Sequence, residues 1–227
     1  MRLAPTGYFH LLFFGVFLPY LAIRTSKRVS TRPLPPKVPH FRAQVATLLV
    51  FLALSLAVAF KEWIILWPRE FPDARMILIG LLVLVVMIML MRPMWRSRVE
   101  ARARKIWLFM PRTGEERAWW VACSVAAGIS EEVTYRGVMY ALLWRLTDSM
   151  LAAALIGATI FAVSHFMQGI KSMAIIFAFA LTFQGIAFFT GSLYVGIAVH
   201  ALYDVAAGLF YGYYGERLGY PIEPMPA

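Results

Sequence analysis

The sequence is poor in cysteine, in acidic side chains and in the signatures of soluble hydrolases. Cys123 is the single cysteine among 227 residues, so neither an intrachain disulfide nor a cysteine-built metal cage can form. No H-E-x-x-H, G-x-S-x-G or phosphate-binding P-loop occurs, which removes the enzyme classes that depend on them. No repeat stands at solenoid periods, and the inverted repeat with paired broken helices that marks many transporters is missing. Charged residues make up only 15% of the chain, and 12 of them are acidic against 22 basic.

What fills the space is hydrocarbon. The chain is 61% hydrophobic, above the roughly 45–50% of soluble domains. Apolar runs at Tyr8–Ile23, Gln44–Phe60, Met76–Met91, Trp119–Ser130, Met150–Phe166, Met173–Thr190 and Ser192–Tyr211 approach the ~20 residues a helix needs to cross a bilayer. Arg136 and Arg145 interrupt an eighth stretch, Val133–Leu146. The expected fold is all-α, a polytopic membrane helix bundle of seven or eight transmembrane helices, because open strands leave backbone groups unpaired in lipid. The first run follows only Arg2 and lacks a small-residue cleavage site, so it is expected to be a retained span.

The net charge of +10 is concentrated. Arg24, Lys27, Arg28, Arg32, Lys37 and Arg42 fill one loop, and Arg92, Arg96, Arg98, Arg102, Arg104, Lys105, Arg112 and Arg117 crowd another. Between them, Lys61–Arg75 is balanced by Glu62, Glu70 and Asp73. The two basic loops are expected on the cytoplasmic side with the N-terminus outside, Arg2 being the exception. Such loops bind anionic lipid rather than nucleic acid. The stretch "RPLPPKVPH" at 32–40 reads as a stiff polyproline connector. Trp63, Trp67, Trp119 and Trp120 suit the two interfaces. The division expected is residues 1–113 for N-terminal helices and basic loops, and 114–227 for a catalytic helix bundle.

From 118 to 211 the charged residues are Glu131, Glu132, Arg136, Arg145, Asp148, Lys171 and Asp204, joined by His165 and His200. A charge at mid-bilayer costs at least about 2.5–3.5 kcal/mol, so such groups face a bundle interior and have partners. Glu132 and Arg136, four apart, share a helical face and read as an ion pair. Glu131 lies about 100° around the helix from Glu132 and cannot share all its partners. One glutamate is neutralised while the other stays available as a general base. "FAVSHF" supplies His165, and "HALYDV" supplies His200 and Asp204 on one face. Each histidine also reads as helix-to-helix glue, and Asp204 either orients His200 or caps a backbone group. Ser130 and Ser164 read as packing. "VAAGIS" before the glutamates allows a close helix approach.

The ordered motifs Glu131-Glu132-Val133-Thr134-Tyr135-Arg136, Phe161-Ala162-Val163-Ser164-His165 and His200-Ala201-Leu202-Tyr203-Asp204 resemble EExxxR, FxxxH and HxxxN/D. These belong to the CPBP group of intramembrane glutamic-type proteases, the CAAX protease and bacteriocin-processing family, which includes the prenyl-protein CAAX endopeptidases. The resemblance covers roughly residues 117–211. It implies an intramembrane endopeptidase in a bacterial or archaeal cytoplasmic membrane, cutting a membrane-associated peptide or protein near the cytoplasmic side. By similarity Glu131 activates water with His165 assisting, His200 and Asp204 stabilise the oxyanion, and Glu132 and Arg136 organise the site. One departure stands out: prenyl-protein endopeptidases carry asparagine where this chain has Asp204, and an ionised carboxylate only accepts hydrogen bonds. Asp204 then serves in a protonated form, or fixes the tautomer of His200. The expected mechanism needs no cofactor. The alternative chemistry is Zn²⁺ held by Glu131, His165, His200 and Asp204. Alternatives of another class are a proton-coupled membrane transporter and a non-catalytic scaffold.

Overall fold

A computed structural model describes residues 3–31, 33–67 and 71–221, with all their side chains except those of 27–31. Of the charge pattern, Arg2, Lys27, Arg28, Arg32 and Glu70 fall outside what is described. Every element of regular structure in the described chain is a helix. Helix α1 (Pro5–Leu12) runs through a π-helical turn (Phe13–Phe17) into α2 (Leu18–Thr31), followed by α3 (Lys37–Lys61) and α4 (Ala74–Glu100). After a 3-10 segment (Arg104–Phe109), α5 (Gly114–Glu131) passes through a second π turn (Glu132–Met139) into α6 (Tyr140–Thr147). Then come α7 (Met150–Ser164), a short 3-10 turn (Phe166–Gln168), α8 (Ile170–Thr190) and α9 (Leu193–Arg217).

Local chemistry sets these boundaries. Asp73 caps α4 by accepting from the Met76 N–H at 2.8 Å. Thr113 and Glu116 form a reciprocal capping box at the start of α5. Ser149 and Ser192 cap α7 and α9, each satisfying an amide that the first helical turn leaves free. Asp148 takes the left-handed conformation (φ 52°), which a short polar side chain tolerates, and so lets α6 reverse into α7.

Pro5–Ser26, Lys37–Lys61, Ala74–Glu100, Ile170–Thr190 and Leu193–Arg217 are each long and apolar enough to cross a membrane. Their outer faces carry large apolar side chains such as Leu82, Leu90 and Phe189, and lipid is the solvent that accepts such a surface. The protein is an integral membrane helix bundle. The ambiguous stretch Val133–Leu146 is no separate span: Glu132 and Tyr140 keep right-handed helical angles, so α5, the π turn and α6 form one rod of about 50 Å.

Two sequence expectations change. Of the connector at 32–40, residues 33–36 are non-helical and the helix begins at Lys37, while Arg32 lies outside the described residues. Pro39 is accommodated because its missing N–H falls in the first turn, where no intrahelical partner exists. Lys37 is not a solvated loop residue. It is buried, donating to the Met110 carbonyl at 2.8 Å and to Glu116 at 3.2 Å, a pairing that offsets the cost of desolvation. At the opposite end Glu62 is buried, takes the Ala4 and Gly7 amides at 2.9 and 3.0 Å, and pairs with Arg145 at 3.3 Å. That contact accounts for Arg145.

The motif rod runs through the centre of the bundle. Its small residues allow contact with α9: a Cβ on Gly128 would stand 2.9 Å from the Ile197 carbonyl oxygen and 3.0 Å from the Ala201 methyl. Val133, Val138, Met139 and Leu142 are fully buried along the same rod. Phe14 and Phe51 pack edge-on to each other, and Phe14 packs edge-on to Tyr135.

Candidate active site

Three helix segments supply the ionisable cluster. Glu131 ends α5, and Glu132 and Arg136 lie on the π turn. His165 follows the last residue of α7, and His200 and Asp204 lie on α9. The bundle brings all six together. Of the other charged residues in this half, Asp148 sits in the α6–α7 reversal and Lys171 is exposed.

Glu132 is the buried anchor. Its side chain is 1% exposed, and one carboxylate oxygen, Oε1, faces both His200 Nδ1 at 2.9 Å and Arg136 Nη1 at 3.3 Å. The Arg136 contact is a charge contact without hydrogen-bond geometry. The guanidinium instead rests on the ring of Phe161 at 4.1 Å and faces Phe183 at 5.4 Å, a favourable placement over a negative ring face. Phe161 is thus more than a spacer in its motif, a role sequence reading passed over.

The two imidazoles are held in matched orientation. His165 Nδ1 meets the Phe161 carbonyl at 2.8 Å, and His200 Nδ1 meets the Glu132 carboxylate at 2.9 Å. With Nδ1 donating in both rings, both Nε2 atoms face Glu131 Oε2, at 3.8 Å from His165 and 3.7 Å from His200. Asp204 Oδ2 also stands 3.7 Å from His200 Nε2. The His200 tautomer is therefore set by Glu132 rather than by Asp204, because the Nδ1 edge points toward the π turn and Asp204 lies one turn along α9 on the Nε2 side. Asp204 is the most open of the group, its side chain 33% exposed against 1% for Glu132.

Residues without charge complete the geometry. Trp120 Nε1–H donates to the Asp204 backbone carbonyl at 2.9 Å, and its indole fits because Gly208 has no Cβ to oppose it. Interfacial anchoring was the simpler expectation for Trp120, and nothing in its local sequence marks this contact. The π turn is also braced from outside. His10 Nε2 donates to the Thr134 carbonyl at 3.3 Å, and the Ser55 and Thr134 hydroxyls hydrogen-bond to each other at 2.8 Å. A π turn pairs amides with carbonyls five residues back, as Tyr140 N–H does with Tyr135 O. Such turns recur at functional sites. Ser164 bonds its own helix at Ile160 O, 2.9 Å away, in keeping with a packing role.

Glu131 and His165 stand in a wall between two cavities. One chamber, about 190 Å³, also reaches His200 and Asp204 and extends toward Arg98 and Lys105. The other is apolar, bounded by Phe14, Leu18, Leu21, Leu48 and Phe51. Among the described residues, no group of three or more His, Cys, Asp and Glu side chains is disposed to hold a metal ion. Their chemical types suit zinc.

Residues 113–206 match the family described as Rce1-like: type II CAAX prenyl endopeptidase Rce1-like. This segment is similar to that family of CAAX proteases. It contains all three motifs, and the match supports a membrane protease role for the chain. No curated protein and no solved structure matches the chain.

Proposed function

We propose that the protein is an intramembrane endopeptidase that hydrolyses a peptide bond in a membrane-associated protein or peptide, with water activated by Glu131. The observation that carries this reading is the convergence of the His165 and His200 Nε2 atoms on one Glu131 oxygen at 3.8 and 3.7 Å. Those separations are too long for direct hydrogen bonds and suited to a shared reactant. Glu131 takes a proton from water as the oxygen attacks the carbonyl carbon. His165, its Nδ1–H spent on Phe161 O, keeps the Nε2 lone pair to orient that water. A second proton on His200 makes Nε2 a donor to the developing oxyanion while Nδ1–H stays on Glu132. A protonated Asp204 adds a second donor. The proton on Glu131 then passes to the leaving nitrogen and the C–N bond breaks, giving a carboxylic acid and an amine; the acid's proton passes to the amine, so the products leave as a carboxylate and an ammonium.

Glu132 and Arg136 position His200 rather than touch the substrate. The apolar cavity beside Glu131 accepts the hydrophobic part of the substrate. The basic stretches at the ends of α2 and α4 are proposed to contact anionic lipid.

The test is peptide cleavage by the purified protein in proteoliposomes. Glu131→Gln and His165→Ala are expected to lower turnover by about 10²–10⁴-fold, the usual contribution of a positioned base. Cleavage that persists in both variants overturns the mechanism. Turnover is also expected to survive exhaustive chelation. Loss on chelation with recovery on added Zn²⁺ would replace the water-and-glutamate scheme by a metal one.

A further inference from the structure

His165 stands on a turn, not on a helix. α7 ends at Ser164 and α8 begins at Ile170, so residues 165–169 carry the ring between two helices. The His165 backbone has left the helical region (φ −96°, ψ 15°) for the sparsely occupied bridge region, where many active-site residues sit. Inside the turn the Gln168 N–H donates to His165 O at 2.9 Å and the Gly169 N–H to Phe166 O at 3.0 Å. Gly169 then redirects the chain at φ 92° and ψ 160°, a conformation essentially reserved for glycine.

Two further carbonyls of the turn are met by side chains, and a cation stands behind each. Lys105, on the 3-10 segment Arg104–Phe109, donates to Met167 O at 2.9 Å and reaches Ser26 Oγ of α2 at 3.5 Å. Ser172, buried in the first turn of α8, donates its hydroxyl to Gln168 O at 2.8 Å. The same hydroxyl accepts from Arg98 Nη2, in the last turn of α4. A hydroxyl donates once and accepts twice, so the relay from Arg98 through Ser172 to Gln168 has one consistent direction. The charged donor polarises the hydroxyl and strengthens the second bond. Cations just past the end of α7 also suit the negative end of its dipole. The turn is part of the partition between the two cavities. Ser164, His165 and Met167 border the apolar one, and His165 and Gln168 border the catalytic chamber.

We infer that Lys105 and Arg98 are positioning residues that clamp the 165–169 turn by its carbonyls and so hold His165 Nε2 toward Glu131. The inference rests on the proteolytic reading above and adds what keeps one of its groups in place. The bond between His165 Nδ1 and Phe161 O fixes the ring only against its own helix. Glu131 belongs to another rod, so the end of α7 needs ties to the elements around it. Lys105 ties the turn to the 3-10 segment and to α2. Arg98 ties it to α4 and, lying beside the Tyr211 hydroxyl, to α9, the helix of His200.

The experiment uses the full-length protein in nanodiscs and two readouts. The first is turnover of a hydrophobic peptide. Lys105→Met and Ser172→Ala are each expected to lower kcat by about tenfold, the worth of one charge-assisted hydrogen bond, with KM held within about twofold. Lys105→Arg and Ser172→Thr keep the donors and should recover most of the loss. Arg98→Met combined with Ser172→Ala is expected to cost little more than either alone, because both break one relay. In a His165→Ala background Lys105→Met is expected to cost less than about twofold further, since its action passes through the missing ring. The second readout needs no cleavage: the imidazole resonances of protein labelled with ring-15N histidine. The chain has four histidines, and loss of one pair of signals in His165→Ala assigns that ring. Lys105→Met and Ser172→Ala are expected to shift or broaden the His165 pair and to leave His10 unmoved. Turnover within about twofold of the parent together with unmoved His165 signals overturns the inference. A full loss on adding Lys105→Met to His165→Ala also overturns it, marking general packing instead. Ser172→Ala, which removes one oxygen, carries the test if Lys105→Met fails to fold. Absence of cleavage by the unsubstituted protein counts against the proteolytic reading alone, and the resonances still decide the clamp.

Discussion

Glu132 shows how one buried carboxylate constrains two neighbours. It serves His200 and Arg136 with the same oxygen, so removing its charge leaves a guanidinium enclosed by Phe161 and Phe183 without a counter-ion. Breaking one side of a buried pair costs about 3–5 kcal/mol. Glu132→Gln is therefore expected to lower stability by about that amount in a chemical unfolding assay and to reduce cleavage as well. Unchanged stability would mean that the pair is hydrated. Asp204 behaves differently because it is more open. Asp204 is half-buried and Asp204→Asn keeps its shape, so its cost in the same unfolding assay is expected to be smaller than that of Glu132→Gln. If its proposed role is donation, turnover should hold or rise, because an amide donates at every pH. A fall in turnover would assign the carboxylate a different task.

Among the elements, the π turn Glu132–Met139 decides where the motif side chains go. His10 and Ser55, far away in sequence, support it at Thr134. His10→Ala leaves the Thr134 carbonyl without that donor, at a cost of about 1–3 kcal/mol, and is expected to lower kcat with little change in KM. His10→Gln, which restores a donor, should recover most of the loss. Equal effects of Ala and Gln would reduce His10 to packing. Gly128 tests the same rod where it meets α9. Gly128→Val places a branched side chain against the Ile197 carbonyl, where a Cβ already stands at 2.9 Å. About 1–3 kcal/mol of overpacking strain is expected, with turnover lost because His200 moves away from Glu131.

Much of this element was readable in advance. The four-residue spacing gave the Glu132 and Arg136 contact, and the small residues before them gave a close helix approach, though not that its partner is α9. The π turn was not readable, because an extra residue in a helical turn leaves no mark in apolar periodicity. The support from His10 was hidden for a related reason: a lone histidine in an apolar run carries no sign of the carbonyl it will meet. Lys37 was misjudged because its acceptors, Met110 O and Glu116, lie more than seventy residues away in the chain.

For the whole molecule, continuity of α5 and α6 fixes topology. One rod from Gly114 to Thr147 carries the chain from the basic end to the opposite end, where Arg145 meets Glu62. Cys123 is the single cysteine, so a Cys123→Ala background accepts new cysteines cleanly. Cysteines placed at Arg102 and at Ser149 are expected to react with impermeant maleimide from opposite faces of sealed vesicles. Labelling from one face would require a reversal inside the rod.

The wall formed by Glu131 and His165 has unlike sides, leucine and phenylalanine on one and cations on the other. Under the proposed reaction, a chain severed there ends as two fragments in different solvents. The greasy piece remains among hydrocarbon tails and diffuses sideways, whereas the piece on the cationic side departs toward water. Separation of that kind makes rejoining improbable without any input of energy, so the architecture itself would drive the cut forward.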